Sequence, residues 1–218
     1  MRELIIAPSI LAADFSDFAC AIREIEAAAA DWAHLDIMDG HFVPNLTFGP
    51  KLVSDLRKLS SVFFDVHLMI KNPEKFIDVF ALSGANSISF HVEAAPDPPR
   101  ILQSIKNTGA KAGISLVPAT TVNELEPALP YCDLVVVMTV NPGFGGQALI
   151  PDCLDKISEI ASIRKKKGYN FKISVDGGVN ESNARSVIDA GADVLVLGTA
   201  FFGTKDKPAL VQRLKNLN

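Results

Sequence analysis

Eight short apolar runs, rich in Val, Ile and Leu, alternate with eight stretches of helical periodicity along the whole chain. No other feature constrains the fold as tightly. The runs fall at 4–9, 32–38, 62–69, 86–92, 111–117, 134–138, 171–176 and 194–197. The amphipathic stretches between them cover 15–30, 50–59, 73–83, 99–107, 122–129, 151–167, 181–190 and 207–217. The runs are apolar on both faces, the pattern of parallel strands covered by helices. Helix starts are marked by Asn72-Pro73-Glu74 and Pro151-Asp152, and helix stops by Gly84, Gly109 and Gly191. A strand–helix unit repeats about every 27 residues, compact for a (β/α)₈ barrel but within its range. The competing fold is a doubly wound open sheet, and the missing Gly-rich dinucleotide turn after the first strand counts against it. No low-complexity linker divides the 218 residues, so residues 1–218 read as a single-domain (β/α)₈ TIM barrel.

The balance of residue types narrows the class of function. Hydrophobic residues make up 48% and charged residues 21%, a mixture that suits a soluble globular enzyme. Net charge is −4, and the only basic run, Arg164-Lys165-Lys166-Lys167, reads as a helix end before Gly168; no nucleic-acid partner is expected. Cys20, Cys132 and Cys153 are odd in number and lack metal or redox spacing, so they read as reduced thiols of a cytoplasmic protein. Pro8 and Asp14 interrupt any signal-like stretch. No run reaches the roughly 18 apolar residues of a membrane span, and no membrane association is expected.

Barrel sites lie where strands end, and the chemically distinctive residues fall there. Ser9 closes the first run, His34 and Asp36 end the second, His67 the third and Asp176 the seventh. His34 and Asp36 are two apart, so both point into the barrel, where an aspartate is costly unless paired or metal-bound. A buried His–Asp hydrogen bond would explain that pair alone. With His67 and Asp176 at the same rim, the set suits one divalent metal ion per subunit (Zn, Fe, Mn or Co), with carboxylates that double as proton carriers. His41, in the loop after the second run, reads as a lid or surface residue. His91 ends the fourth run beside the pocket, with no direct substrate contact expected.

Asn141-Pro142-Gly143-Phe144-Gly145-Gly146-Gln147 follows the sixth run and lacks the Lys-Ser/Thr ending of a nucleotide loop. Together with Gly177-Gly178 and Gly198-Thr199 it reads as a backbone N–H grip on a phosphate. Met38, Met69 and Met138 all sit at strand ends, and two readings apply to them. They either fill the core or form an apolar, polarisable collar around a planar intermediate.

These segments, in this order, resemble the ribulose-phosphate 3-epimerase family from end to end. The resemblance is carried by Ala7-Pro8-Ser9-Ile10-Leu11-Ala12-Ala13-Asp14-Phe15, by His34-Leu35-Asp36-Ile37-Met38-Asp39-Gly40-His41-Phe42-Val43-Pro44-Asn45, by Asp65-Val66-His67-Leu68-Met69, by 138–147 and by Val175-Asp176-Gly177-Gly178-Val179. It implies a barrel that binds one divalent metal through His34, Asp36, His67 and Asp176. It also implies interconversion of D-ribulose 5-phosphate and D-xylulose 5-phosphate, with Asp36 and Asp176 as the acid/base pair at C3 and a metal-stabilised cis-enediolate between them. Ser9 and His67 would contact the sugar. Gly143, Phe144, Gly145, Gly146, Gly177, Gly178, Gly198 and Thr199 would surround the substrate and its phosphate. A homo-oligomer is implied as well. The chain departs from the family pattern at Gly198-Thr199-Ala200, where Gly-Ser-Ala is usual, and in the proline-rich stretch after His91. Three alternatives remain at this level: the same epimerisation on a ketohexose 6-phosphate such as allulose 6-phosphate, a metal-dependent phosphosugar lyase, and a non-catalytic phosphosugar-binding barrel.

Overall fold

A computed structural model describes residues 4–217. Eight parallel strands run in the order β1-β8-β7-β6-β5-β4-β3-β2. They are β1 (Ile5–Pro8), β2 (Trp32–Met38), β3 (Phe63–Met69), β4 (Ser87–His91), β5 (Lys111–Leu116), β6 (Leu134–Met138), β7 (Lys172–Asp176) and β8 (Val194–Leu197). The seam between β1 and β2 is drawn together by a parallel bridge between Ser9 and His34 and by a hydrogen bond from Asp31 N to Ile6 O at 3.0 Å. The expected (β/α)₈ barrel is therefore the fold, and each expected strand lies within a residue or two of its observed position.

Helices α1 (Phe18–Ala27), α2 (Pro50–Arg57), α3 (Ile77–Leu82), α4 (Pro98–Asn107), α5 (Cys153–Lys167), α6 (Ala184–Asp189), α7 (Thr199–Phe202) and α8 (Lys207–Lys215) follow the strands. Their starts are fixed by local chemistry. The Asp17 side chain accepts from Cys20 N at 2.9 Å and that of Asp206 from Ala209 N at 3.0 Å, which satisfies donors that a helix start leaves free. Two helical expectations need correction. Segment 122–129 is no α-helix but a 3₁₀ turn over Val122–Leu125 followed by another over Leu129–Tyr131. Pro127 and Pro130 lack the N–H groups that an α-helix would direct at Asn123 and Glu126, so bonds close one residue earlier. Segment 73–83 begins as a 3₁₀ turn at Pro73–Lys75 and becomes α-helical only at Ile77. The short α7, at the site expected for a phosphate loop, was not anticipated as a helix.

Side-chain alternation splits the interior into two layers. Ala33, Leu35, Phe64, Val66, Ile88, Phe90, Ile114 and their counterparts face the helices and form the large outer core. Inside the barrel, Ile5, Ala7, Leu134, Val136, Met138, Val194 and Val196 make an apolar sector. The other sector, from β2 to β5 and β7, is polar: His34, Asp36, Asp65, His67, Ser87, Ser89, His91, Ser115 and Ser174 are all buried. A barrel that puts three imidazoles and two aspartates into its core must compensate them internally.

The basic run at 164–167 does end a helix, closed by Gly168 in the left-handed region at φ 69°. Its first member differs from the rest. Arg164 is buried, pairs with buried Asp193, and donates to Phe171 O at 2.9 Å. Asp193 in turn accepts from Ile173 N at 2.8 Å, so the pair ties α5 to β7 and to the loop before β8. Arg164→Ala would strand Asp193 as a buried charge, and a loss of roughly 3–5 kcal/mol of unfolding free energy is expected. Urea titration of the variant measures it; a loss below about 1 kcal/mol would mean that the pair is not structurally important.

Candidate active site

The register of β2 against β3 sets His34 opposite Asp65 and Asp36 opposite His67. Asp176 ends β7, opposite Met138 of β6 and Val196 of β8. Around the ring these positions converge at the C-terminal mouth. His34 Nε2 lies 3.2 Å from Asp36 Oδ1 and 3.7 Å from Asp176 Oδ2. His67 Nδ1 lies 3.3 Å and 3.5 Å from the same two oxygens. The four ligand atoms lie within 4.8 Å of one another, a grouping that can hold a metal ion.

Hydrogen bonding at the back of each imidazole decides what its front presents. His34 Nδ1 is 2.9 Å from Asp65 Oδ2, so a neutral His34 donates there and turns the Nε2 lone pair toward Asp36 and Asp176. A lone pair facing two carboxylates is repulsive until a cation sits between them. In keeping with this, His34 Nε2, His67 Nδ1 and Asp36 Oδ1 are buried with no hydrogen-bond partner. Orphaned donor atoms of the right type, aimed at one point, are what a bound divalent cation requires. Without the cation, protons take its place. Burial pushes His34 down, but the carboxylates of Asp36, Asp176 and Asp65 outweigh it and hold the imidazole well above its usual range. His67 is raised by Asp176 and Asp36 against the same burial. Burial pushes Asp36 up, yet His34 and His67 draw it far below the ordinary carboxylate range. Asp176 is lowered by the same two histidines, against burial and the charge of Asp36.

Above the cluster opens a cavity of about 710 Å³. Every expected substrate-contacting residue lines it except His67: Ser9, the 143–146 loop, Asp176, Gly177, Gly178, Gly198 and Thr199 all do. His67 is fully buried beneath the carboxylates, and only Asp36 and Asp176 of the four cluster residues reach the cavity. Met38, Met69 and Met138 are buried and line it too, so they serve as floor and core at once. Ser9 Oγ donates to Asp36 Oδ2 at 2.5 Å, which steadies the carboxylate oxygen that faces away from the cluster.

The glycine loops are placed by backbone conformation. Gly177 (φ 123°) and Gly178 (φ 68°) occupy the left-handed half of conformational space. A Cβ on Gly178 would lie 2.3 Å from Leu149 N, so this turn accepts no side chain. Thr139 Oγ1 donates to Gly177 O at 2.5 Å, and Asn45 Nδ2 donates to Gly143 O at 2.7 Å, joining the loop after β2 to the loop after β6. Gly146 faces Thr199 at the start of α7, so the unusual threonine fits beside the glycine loop. His41 has a side chain 73% exposed, which makes it a surface residue.

Sequence reasoning missed Asp65, although the signal was present: it stands two residues before His67 on one strand, the same spacing that singled out His34 and Asp36. Also missed was the partner of His91. His67 Nε2 lies 2.9 Å from His91 Nε2, and His91 Nδ1 lies 3.2 Å from Glu93 Oε2. His91 is fully buried behind His67 and does not line the cavity.

Fold and cluster together define a class: a (β/α)₈ barrel with a two-histidine, two-aspartate cluster, able to hold a cation, under a glycine-lined cavity. The profile of the ribulose-phosphate 3-epimerase family matches residues 5–202, and the chain belongs to that family. A ribulose-phosphate 3-epimerase of Treponema pallidum is 49% identical over 92% of this chain and 92% of its own length. That of Bacillus subtilis is 46% identical over 96% and 97%, and that of Escherichia coli 41% over 99% and 96%. Among solved structures, KGPDC from Streptococcus mutans superposes with a TM-score of 0.75 at 13% identity, covering 99% of this chain and 97% of its own, a likeness of fold alone.

Protons and metal compete for the same inward-facing nitrogens, so metal binding should release protons. His34 and His67 are raised in the metal-free protein, and apparent affinity should therefore climb as pH rises through neutrality, roughly tenfold per pH unit for each proton displaced. Titration with Zn²⁺ or Co²⁺ between about pH 6 and 8, in buffers of different ionisation enthalpy, measures this. Affinity that does not change with pH would contradict the assigned protonation.

Proposed function

We propose that this chain is a metal-dependent 3-epimerase that interconverts D-ribulose 5-phosphate and D-xylulose 5-phosphate by proton transfer at C3. The observation that carries this reading is the meeting of Asp36 from β2 and Asp176 from β7 at the cavity floor, over two histidines with orphaned nitrogens. Inverting a carbon beside a ketone requires removal of its proton on one face and delivery of a proton on the other. Two carboxylates from well-separated strands suit that task, one for each face.

His34, Asp36, His67 and Asp176 would hold one divalent metal ion, of which Zn, Fe, Mn and Co all suit the donor set. When bound, the metal supplies Lewis-acid stabilisation of the negative charge that develops on the sugar oxygens. The remaining steps belong to side chains of the chain itself. An aspartate of ordinary pKa ~3.9 is a weak base, and both carboxylates lie below that range in the metal-free protein, so they exchange protons only with a strongly acidified carbon. Ser9 holds Asp36 Oδ2 in place and, at the cavity wall, is positioned to contact the sugar. His67 lies below the carboxylates, and its role is confined to the metal side. Met38, Met69 and Met138 present an apolar floor that keeps bulk water from the reacting carbon.

Backbone N–H groups of Gly145, Gly146, Gly178, Gly198 and Thr199 are proposed to take the phosphate. Among the described residues lining the cavity there is no lysine or arginine, so the anion falls to neutral donors, main-chain N–H groups at the glycine turns and polar side chains such as Ser182 and Asn183. The same absence of lysine disfavours the metal-dependent phosphosugar lyase, which would want a lysine at a strand end. Pentose over hexose substrate is favoured by the family's profile and by relatives named for ribulose phosphate. The homo-oligomer belongs to this reading as well, supported by exposed Phe76, Val79 and Leu82 at α3. So does a cytoplasmic setting, supported by three unpaired cysteines. Among the described residues, no helix is long and apolar enough to cross a membrane.

Asp176→Asn should retain the fold and lose at least ~10³-fold in kcat for ribulose 5-phosphate, about 4 kcal/mol of barrier, because an amide cannot relay a proton. Asp36→Asn should be as severe, and the double variant little worse than either single one. Coupled spectrophotometric assay of pentulose and hexulose phosphates, with folding checked by circular dichroism, decides. Activity of Asp176→Asn within about tenfold of wild type would remove it from the proton path.

A further inference from the structure

His67 has two nitrogens, and only a lone pair on Nδ1 can serve a cation. Which nitrogen carries the proton is decided behind the ring, where His67 Nε2 faces His91 Nε2 at 2.9 Å. Between two ring nitrogens at that distance, one donates and the other accepts. The next contact outward breaks the tie. His91 Nδ1 lies 3.2 Å from Glu93 Oε2, and an ionised carboxylate only accepts, so Nδ1 of His91 holds the proton. A neutral His91 then has its lone pair on Nε2, His67 donates from Nε2, and the lone pair of His67 Nδ1 is left facing Asp36 and Asp176.

Glu93 is itself held firmly. The 3₁₀ turn over Val92–Ala94 brings it back beside His91 at the end of β4. Its Oε1 accepts from Val117 N at 2.8 Å. The loop carrying that donor is gripped in turn by α5, where Lys156 Nζ donates to the carbonyls of Pro118 and Thr120. The rings of His91 and His67 meet edge to edge, with centroids 5.0 Å apart and planes 23° from parallel, as a hydrogen bond between ring nitrogens requires, and His91 packs against Phe42. The arrangement is thus one directed chain of hydrogen bonds, from the loop after β5 through Glu93 and His91 to His67.

We propose that Glu93, acting through His91, is a positioning residue that sets the tautomer of His67 and so tunes cation affinity at the cluster. It has a counterpart on the other side of the site, where Asp65 bonds His34 Nδ1 directly. The two relays differ in length, one partner for His34 and two for His67. The inference rests on the metal reading of the four-residue cluster.

Glu93→Gln tests it. Glutamine keeps an acceptor oxygen for Val117 N, but it can turn its amide N–H toward His91 Nδ1. That would reverse the chain, so that His67 presents N–H to the cluster instead of a lone pair. The expected result is Zn²⁺ affinity weakened about 10–100-fold in chelator competition, with thermal unfolding of the metal-free protein little changed. Activity at saturating metal should recover toward wild type, and Glu93→Asp should restore part of the affinity. Zn²⁺ affinity of Glu93→Gln within about threefold of wild type would overturn the proposal. A second measurement needs no variant. In Zn²⁺-loaded wild-type protein with ¹⁵N-labelled histidine, protons should reside on His67 Nε2 and His91 Nδ1. A proton on His91 Nε2 would overturn the relay even if Glu93→Gln failed to fold. Wild-type protein that binds no Zn²⁺ at all would instead overturn the metal reading on which the relay stands.

Discussion

Everything at the mouth of this barrel depends on one electrostatic constraint: buried His34, Asp36 and His67 meet the partly exposed Asp176 around a single point, and the facing atoms of the three buried residues are unsatisfied. Burying charge in an apolar core costs several kcal/mol per ion unless it is compensated in place. Here compensation comes from both sides. Asp65 and the His91–Glu93 pair hold the backs of the imidazoles, and Ser9 holds the far oxygen of Asp36. What remains uncompensated points inward, in a grouping that can hold a cation.

The fold makes that constraint affordable by dividing the barrel interior. The apolar sector of β1, β6 and β8 packs as an ordinary core, while β2 to β5 and β7 carry the polar residues. Since side chains alternate along each strand, the polar positions cost the outer core nothing: Leu35 and Val66 pack outward while Asp36 and His67 point in. The rigid ladder of β2 and β3 supplies three of the four cluster residues, and Asp176 arrives from across the ring. The loops can then serve the ligand. Gly177 and Gly178, held by Thr139 and packed against 147–149, form a turn that no other residue could occupy without strain.

Strand positions and the four cluster residues were legible because their signals are periodic. An i, i+2 pair on a strand must share a face, and a strand end in a barrel must lie at the rim. Segment 122–129 misled because its apolar spacing suits a helix, while Pro127 and Pro130 deny it the bonds. Arg164 was hidden in a run of like charges: only the tertiary fold shows that one member turns inward to Asp193 while its neighbours stay in solvent. Asp65 was readable by the same i, i+2 rule that marked Asp36. Glu93 was not, because its role depends on a 3₁₀ turn and on two loops distant in sequence.

The central claim is that Asp36 and Asp176 work from opposite faces of one carbon, and the fate of the hydrogen at C3 tests it most directly. Unlabelled ribulose 5-phosphate would be turned over in D₂O and the first xylulose 5-phosphate formed analysed by NMR or mass spectrometry. With two separate acids, the one that delivers has already equilibrated with solvent, so early product should carry close to a full deuterium at C3. Substantial retention of the original hydrogen would mean that a single group carries the proton between faces, and the two-aspartate account would be wrong.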